Sequence, residues 1–111
     1  MIKTVSITEN KLFKRLYYRG KSVVSPIFVL YYMSGIKGKN RLGITVSTKI
    51  GHAVVRNRVK RQLKEAYRLL EPSFNLDIDL VIVARKAVLH SDFNKIYAEM
   101  GRLAKKAGLT Q

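Results

Sequence analysis

The chain has 111 residues, of which 22 are Lys or Arg and 7 are Asp or Glu, so its formal net charge is +15. This length predicts a single domain over residues 1–111, while 47% hydrophobic residues exclude wholesale disorder and the lack of cysteine excludes thiolate chemistry. A polyanion relieves the self-repulsion of so much positive charge, and the N-terminal segment has no secretory pattern, so we expect a cytoplasmic protein that binds nucleic acid and no membrane.

The first predicted element is a short helix. Ser6 and Glu9 form a capping-box pattern, Thr8 is a competing cap, and Gly20 can terminate the helix. Its apolar residues recur at helical spacing: Leu12, Phe13, Leu16 and Tyr17.

Two strands are predicted next, at residues 27–33 and 41–50, because both segments are rich in β-branched or aromatic residues. The loop between them contains two glycines, which favours a hairpin. On the second strand, Thr45, Ser47 and Lys49 alternate with apolar residues and would form a polar row on one face.

The second half of the chain predicts a helix over residues 53–70, a buried strand over 77–85 and a final helix to about residue 106. Ser91 or Asp92 can cap that last helix. The order helix, strand, strand, helix, strand, helix predicts an α/β (α+β) two-layer sandwich, with helices packed on a small mixed sheet.

The helix over residues 53–70 has an apolar face and a basic face. One acid, Glu65, accompanies the polar residues Arg56, Asn57, Arg58, Lys60, Arg61, Lys64 and Arg68. A solvated surface is the plain interpretation, but like charges four residues apart repel, and exposed structural helices usually alternate signs. The alternative is a ridge whose arginines and lysines contact RNA phosphates.

Aromatic residues predict a second surface. Phe13 and Tyr17 lie one helical turn apart among basic residues, and Tyr31 and Tyr32 point to opposite faces of the first strand. A groove between this helix and the sheet would stack bases of a single strand while cations follow its backbone. The competing interpretation is that Phe13 and Tyr17 are ordinary core residues.

The sequence predicts neither catalytic residues nor a metal site in the polypeptide. His52 and His90 lack partners at metal-ligand spacing, and no phosphate-binding glycine loop occurs. Asp77 and Asp79 flank the start of a strand, where charged residues are common, although a paired-carboxylate site is conceivable there.

The segment RLGITVSTKIGHAVVRNRVKRQLKEAYR closely resembles the signature of the bacterial ribonuclease P protein family. In that signature a strand ending in Ser and Lys precedes a Gly and a helix with Ala-Val, Arg-Asn-Arg and Lys-Arg. The likeness continues in the aromatic pair of the first helix, in FVLYYM and in DLVIVARK. Thr48 and Ala87 depart from the pattern, where many relatives carry a lysine and a proline.

The resemblance implies a protein subunit that assists a catalytic RNA in removing the 5′ leader of precursor tRNA, with Mg²⁺ held mainly by RNA. It assigns the Arg-Asn-Arg helix to the catalytic RNA and implies a left-handed crossover through that helix. It assigns the leader to a cleft lined by Phe13, Tyr17 and Tyr31, with Thr45, Ser47 and Lys49 nearby. A general RNA-binding or chaperone module and a protein-only nuclease are the alternatives.

Overall fold

Five strands and three α-helices form residues 3–111, the part of the chain that the computed structural model describes. The strands are β1 (Thr4–Ser6), β2 (Lys21–Val24), β3 (Phe28–Ser34), β4 (Asn40–Thr45) and β5 (Ile78–Ala84). The helices are α1 (Asn10–Arg19), α2 (Ala53–Leu70) and α3 (Phe93–Lys106). Short 3-10 helices occupy Glu71–Ser73 and Lys86–His90.

The strands form one mixed sheet in the order β1-β4-β5-β3-β2. The central strand β5 pairs antiparallel with β3 and parallel with β4, so that Val81 has Tyr31 on one side and Gly43 on the other. The predicted hairpin between β3 and β4 is therefore wrong. The apolar strand β5 lies between them, where it is covered on both edges and both faces.

The helix α2 connects the neighbouring parallel strands β4 and β5, which makes it a crossover helix. Its predicted span, residues 53–70, is confirmed. The left hand of this crossover, which the resemblance implies against the usual right-handed rule, stays a prediction.

Helices cover both faces of the sheet. On one face, α2 and α3 enclose the main core around Leu30, Leu63 and Ile82. On the other, α1 packs through Leu16 onto Val81 in a smaller cluster. The mixed α/β class is confirmed, but α1 adds a third layer, so the two-layer arrangement is wrong.

Local signals explain where the helices begin. Asp92 is the N-cap of α3, since its Oδ1 accepts a hydrogen bond of 2.8 Å from the Lys95 N–H. Neither Ser6 nor Thr8 caps α1, which begins at Asn10 with Glu9 as its N-cap. Ser6 instead pairs with Leu42 in the unpredicted strand β1. None of the helices in residues 3–111 has the length and apolarity needed to cross a membrane.

Candidate nucleic-acid interface

Three aromatic rings meet between α1 and the sheet. The Tyr17 ring lies 6.4 Å from the Phe13 ring and 5.1 Å from the Tyr31 ring, the latter edge to face. The Tyr17 hydroxyl and the Thr45 Oγ1 are hydrogen bonded at 2.9 Å. We call Phe13, Tyr17, Tyr31 and Thr45 the aromatic cleft. Phe13 and Tyr31 are half-buried and Tyr17 is exposed, so they are accessible residues at the margin of the core that Leu16 fills.

A glycine of the sheet provides the space for this cleft. A Cβ atom on Gly43 would lie 2.6 Å from Cε1 of Phe13, which is closer than side chains pack. Phe13 therefore rests directly on the backbone of β4. Sequence reasoning missed this role, although a glycine inside a strand is itself a signal of close approach.

The predicted polar row of Thr45, Ser47 and Lys49 is only partly correct. Thr45 is the last residue of β4, whereas Ser47 and Lys49 lie in the turn that leads to α2. There the Ser47 carbonyl accepts the Ile50 N–H at 3.0 Å, and the Ser47 Oγ accepts the Lys49 N–H at 3.2 Å. A turn held by hydrogen bonds to Ser47 replaces the strand, so the alternation that defines a row ends at Thr45.

An ion pair lies on the same face of the sheet as the cleft. Arg41 donates two hydrogen bonds of 2.7 Å to the buried carboxylate of Asp79, on the neighbouring strand. These bonds, opposed in part by burial, raise the pKa of the Arg41 guanidinium. Asp77, in turn, accepts a hydrogen bond from the Gly38 N–H. Each aspartate thus has its own structural partner, which argues against a catalytic carboxylate pair.

The basic residues of α2 differ in whether they have hydrogen-bond or ion-pair partners within the protein. Arg56 is half-buried and donates to the Gly51 carbonyl at 2.9 Å, which ties the first turn of the helix to the preceding loop. Arg68 is paired with Glu65, and this pairing lowers the pKa of the Glu65 carboxyl. Exposed side chains without a hydrogen-bonded acid in the described structure are Asn57, Arg58, Lys60, Arg61 and Lys64.

A cavity of about 340 Å³ joins the cleft to α2. It opens where β1 ends at Ser6 and leaves the outer edge of β4 beyond Leu42 without a neighbouring strand. Phe13 and Gly43 line one side, and α2 contributes Asn57, Lys60, Arg61 and Lys64. The two surfaces that the sequence predicts separately are therefore continuous around this edge of the sheet.

A buried polar network holds α2 against the sheet. Thr4 Oγ1 lies 2.8 Å from the Tyr67 hydroxyl and also donates to the Glu71 carboxylate. Burial raises the pKa of Tyr67, which is only 1% exposed. Tyr67 is thus a core residue that links β1 to the end of α2.

Comparisons with known proteins identify the family to which this architecture is similar. The model of the family Ribonuclease P matches residues 1–108. The ribonuclease P protein component of Thermoanaerobacter sp. (strain X514) is 42% identical over 107 residues, which cover 96% of this chain and 92% of that protein. That of Clostridium botulinum (strain Langeland) is 42% identical over 109 residues, covering 97% and 98%.

Solved structures agree. The RNase P protein of Staphylococcus aureus superposes with a TM-score of 0.82 at 30% identity, over 96% of this chain and 97% of that one. The RNase P protein of Thermotoga maritima gives a TM-score of 0.78 at 28% identity, over 85% and 89%.

The fold and the matches define a small bacterial protein subunit of a ribonucleoprotein, built on a mixed sheet with a basic crossover helix. The chain belongs to the ribonuclease P protein family. It is an accessory subunit of the ribonuclease P ribonucleoprotein, which acts in tRNA 5′ maturation, and its partner is the ribonuclease P RNA.

Proposed function

We propose that the aromatic cleft holds the single-stranded 5′ leader of precursor tRNA while the exposed basic face of α2 docks on the catalytic RNA. Rings in the cleft stack on bases, and arginine and lysine side chains of α2 neutralise phosphates. The RNA subunit performs the cleavage in the cytoplasm, and the protein raises the affinity for substrate and reduces phosphate repulsion near the scissile bond.

The observation that carries this proposal is the cavity between Phe13 and α2. Because Phe13 and Lys60 line one cavity, a strand in the cleft ends beside the helix that faces the catalytic RNA. One polypeptide of this size can therefore hold the leader and the catalytic RNA on surfaces that line one cavity.

Magnesium enters the proposal as an ion of the holoenzyme that is held mainly by RNA. In residues 3–111 no three His, Asp or Glu side chains come together in a group able to hold a metal ion. Asp79, the acid on the cleft side of the sheet, is already neutralised by Arg41. The contribution of the polypeptide is thus electrostatic and positional.

The test compares substrates with and without a leader. Tyr17→Ala in the reconstituted holoenzyme should weaken binding of precursor tRNA by about 1–3 kcal/mol, the value of one stacked base, and leave binding of mature tRNA unchanged. Tyr97→Ala is the matched control, because Phe93 and Tyr97 also form a ring pair at 6.4 Å, but on α3 at the other face of the sheet.

Equal losses for precursor and mature tRNA would contradict the leader assignment. A protein that bound any structured RNA equally well would favour the general RNA-binding module. Cleavage by the polypeptide without RNA would favour the protein-only nuclease.

A further inference from the structure

The side of α1 that faces away from the sheet also carries a basic and aromatic surface. Tyr18 is 87% exposed. It lies two positions beyond the buried Leu16, and so about 200° around the helix from it. Arg15 lies one turn before Tyr18, and Lys11 lies two turns before it, whereas Lys14 lines the cleft. We call Lys11, Arg15 and Tyr18 the outer face of α1.

Nothing within the described part of the chain uses these side chains. Tyr18 takes part in none of the close ring pairs of the described residues. Those pairs join Phe13, Tyr17 and Tyr31, or rings of α2, α3 and the segment after α2. The ion pairs of the described residues are made by arginines of β4, α2 and α3 and leave the outer face unpaired. Both cations of the outer face are exposed.

The two cations of the outer face also oppose helix formation. The N-cap of α1, Glu9, makes no side-chain hydrogen bond and the first turn contains no acid, so the Glu9 carboxylate alone offsets Lys11 at the positive end of the helix dipole. Lys11 and Arg15 are in addition like charges four residues apart. In α3, by contrast, Asp92 caps the N-terminus and Glu99 pairs with Arg102.

We propose that the outer face of α1 is a second docking surface for the catalytic RNA, with Lys11 and Arg15 on phosphates and the Tyr18 ring on an unpaired base. Charge complementarity selects RNA, since a polyanion turns an unfavourable set of charges into a favourable one. The catalytic RNA is the partner that membership of the family establishes. The cleft lies on the neighbouring side of α1, where Tyr17 is about 100° around the helix from Tyr18, so protection of Tyr18 by the catalytic RNA alone distinguishes the two surfaces.

The proposal rests on the proposed function only where it assigns the aromatic cleft, with Phe13 and Tyr17 of α1, to the leader. In this arrangement α1 contacts two RNA segments on neighbouring sides, one from the substrate and one from the catalytic RNA. Docking of the catalytic RNA on α1 would then fix one wall of the cleft before substrate arrives.

The chain contains no tryptophan, so Tyr18→Trp places a single tryptophan, which can be excited selectively, on the outer face. Quenching by acrylamide should fall severalfold when the catalytic RNA alone is added, and precursor tRNA should cause no further change. Asn94→Trp, at an exposed position on α3, is the control and should remain accessible throughout. An indole at position 18 that stays accessible in the holoenzyme, or is protected only by precursor tRNA, would overturn the proposal.

A charge test gives a second readout. Lys11→Gln with Arg15→Gln should lower the slope of log affinity for the catalytic RNA against log salt by about two, because two fewer phosphates are neutralised. Lys105→Gln with Lys106→Gln removes the same charge from α3 and should leave the slope unchanged. Equal salt slopes for the two double variants would contradict the assignment of the outer face to the catalytic RNA. Failure of the leader proposal would appear in a different experiment, as a Tyr17→Ala loss of affinity that is the same for tRNA with and without a leader.

Discussion

The ring of Phe13 lies directly on Gly43, so that a Cβ at position 43 would stand 2.6 Å from the Phe13 Cε1 and 2.7 Å from its Cζ. The aromatic cleft therefore depends on a missing side chain in β4 as much as on the aromatic rings of α1. This relationship also sets the distance between the helix and the sheet.

Gly43→Ala should push the Phe13 ring outward into the cleft and destabilise the fold by about 1–3 kcal/mol, as overpacking does. Binding of precursor tRNA should weaken more than binding of mature tRNA. Gly101→Ala is the control, since its new Cβ would meet only Leu70 at 3.7 Å. Urea unfolding and binding assays of both variants measure these effects, and a Gly43→Ala protein with unchanged leader preference would argue against a role for this glycine in the cleft.

Tyr17→Phe separates the ring from its hydroxyl. The bond to Thr45 is exposed, so its loss should cost less than about 1 kcal/mol in unfolding free energy. Leader affinity should be retained, because the ring that stacks is still present. If the phenylalanine variant lost as much leader affinity as Tyr17→Ala, hydrogen bonding rather than stacking would be the source of that affinity.

Arg58→Ala with Lys60→Ala should lower the salt slope of catalytic-RNA binding by about two. Both side chains are exposed, and neither belongs to an ion pair in the described structure. Arg68→Ala should change the slope less, because Glu65 already balances that charge. Titrations at several salt concentrations would measure both, and equal slopes for the two variants would contradict this division of the basic helix.

Tyr67 predicts a dependence of stability on pH. Burial raises its pKa, so the folded state favours the protonated phenol, while the unfolded chain releases this proton near pH 10. Its contribution is complete below about pH 10 and is lost as pH rises towards the higher pKa of the folded state.

Tyr67→Phe should be less stable than the parent by about 1 kcal/mol at pH 7, through loss of the bond to Thr4. That difference should shrink above pH 10, since phenylalanine does not titrate. Urea unfolding at pH 7 and at alkaline pH measures the difference, and one that stays constant or widens would exclude this role for the phenol.

The sequence predicted α2 and α3 well because each carries a long apolar stripe at helical spacing, and Asp92 marks the start of α3. The sequence did not predict correctly which strands are neighbours in the sheet. The loop between β3 and β4 resembles a hairpin connection, and nothing local shows that β5, far along the chain, separates them. The continuous apolar run of β5 was the available signal, because a strand buried on both faces requires neighbours on both edges.

The candidate site was predictable to the extent that its residues share one element. The spacing of Phe13 and Tyr17 predicted a ring pair, and the basic face of α2 follows from its periodicity. Short strands such as β1 carry too few residues to show a period, so the open edge of β4 and the cavity beside it could not be foreseen. The partners of Arg56 and Arg68 likewise depend on tertiary and side-chain geometry.

The most direct measurement is cleavage of precursor tRNA at low magnesium by the polypeptide alone, the catalytic RNA alone, and both together. We predict cleavage at the mature 5′ end only when both are present, with an advantage from the protein that disappears as the leader is shortened. Cleavage by the polypeptide alone, or the same gain for substrates without a leader, would contradict the account.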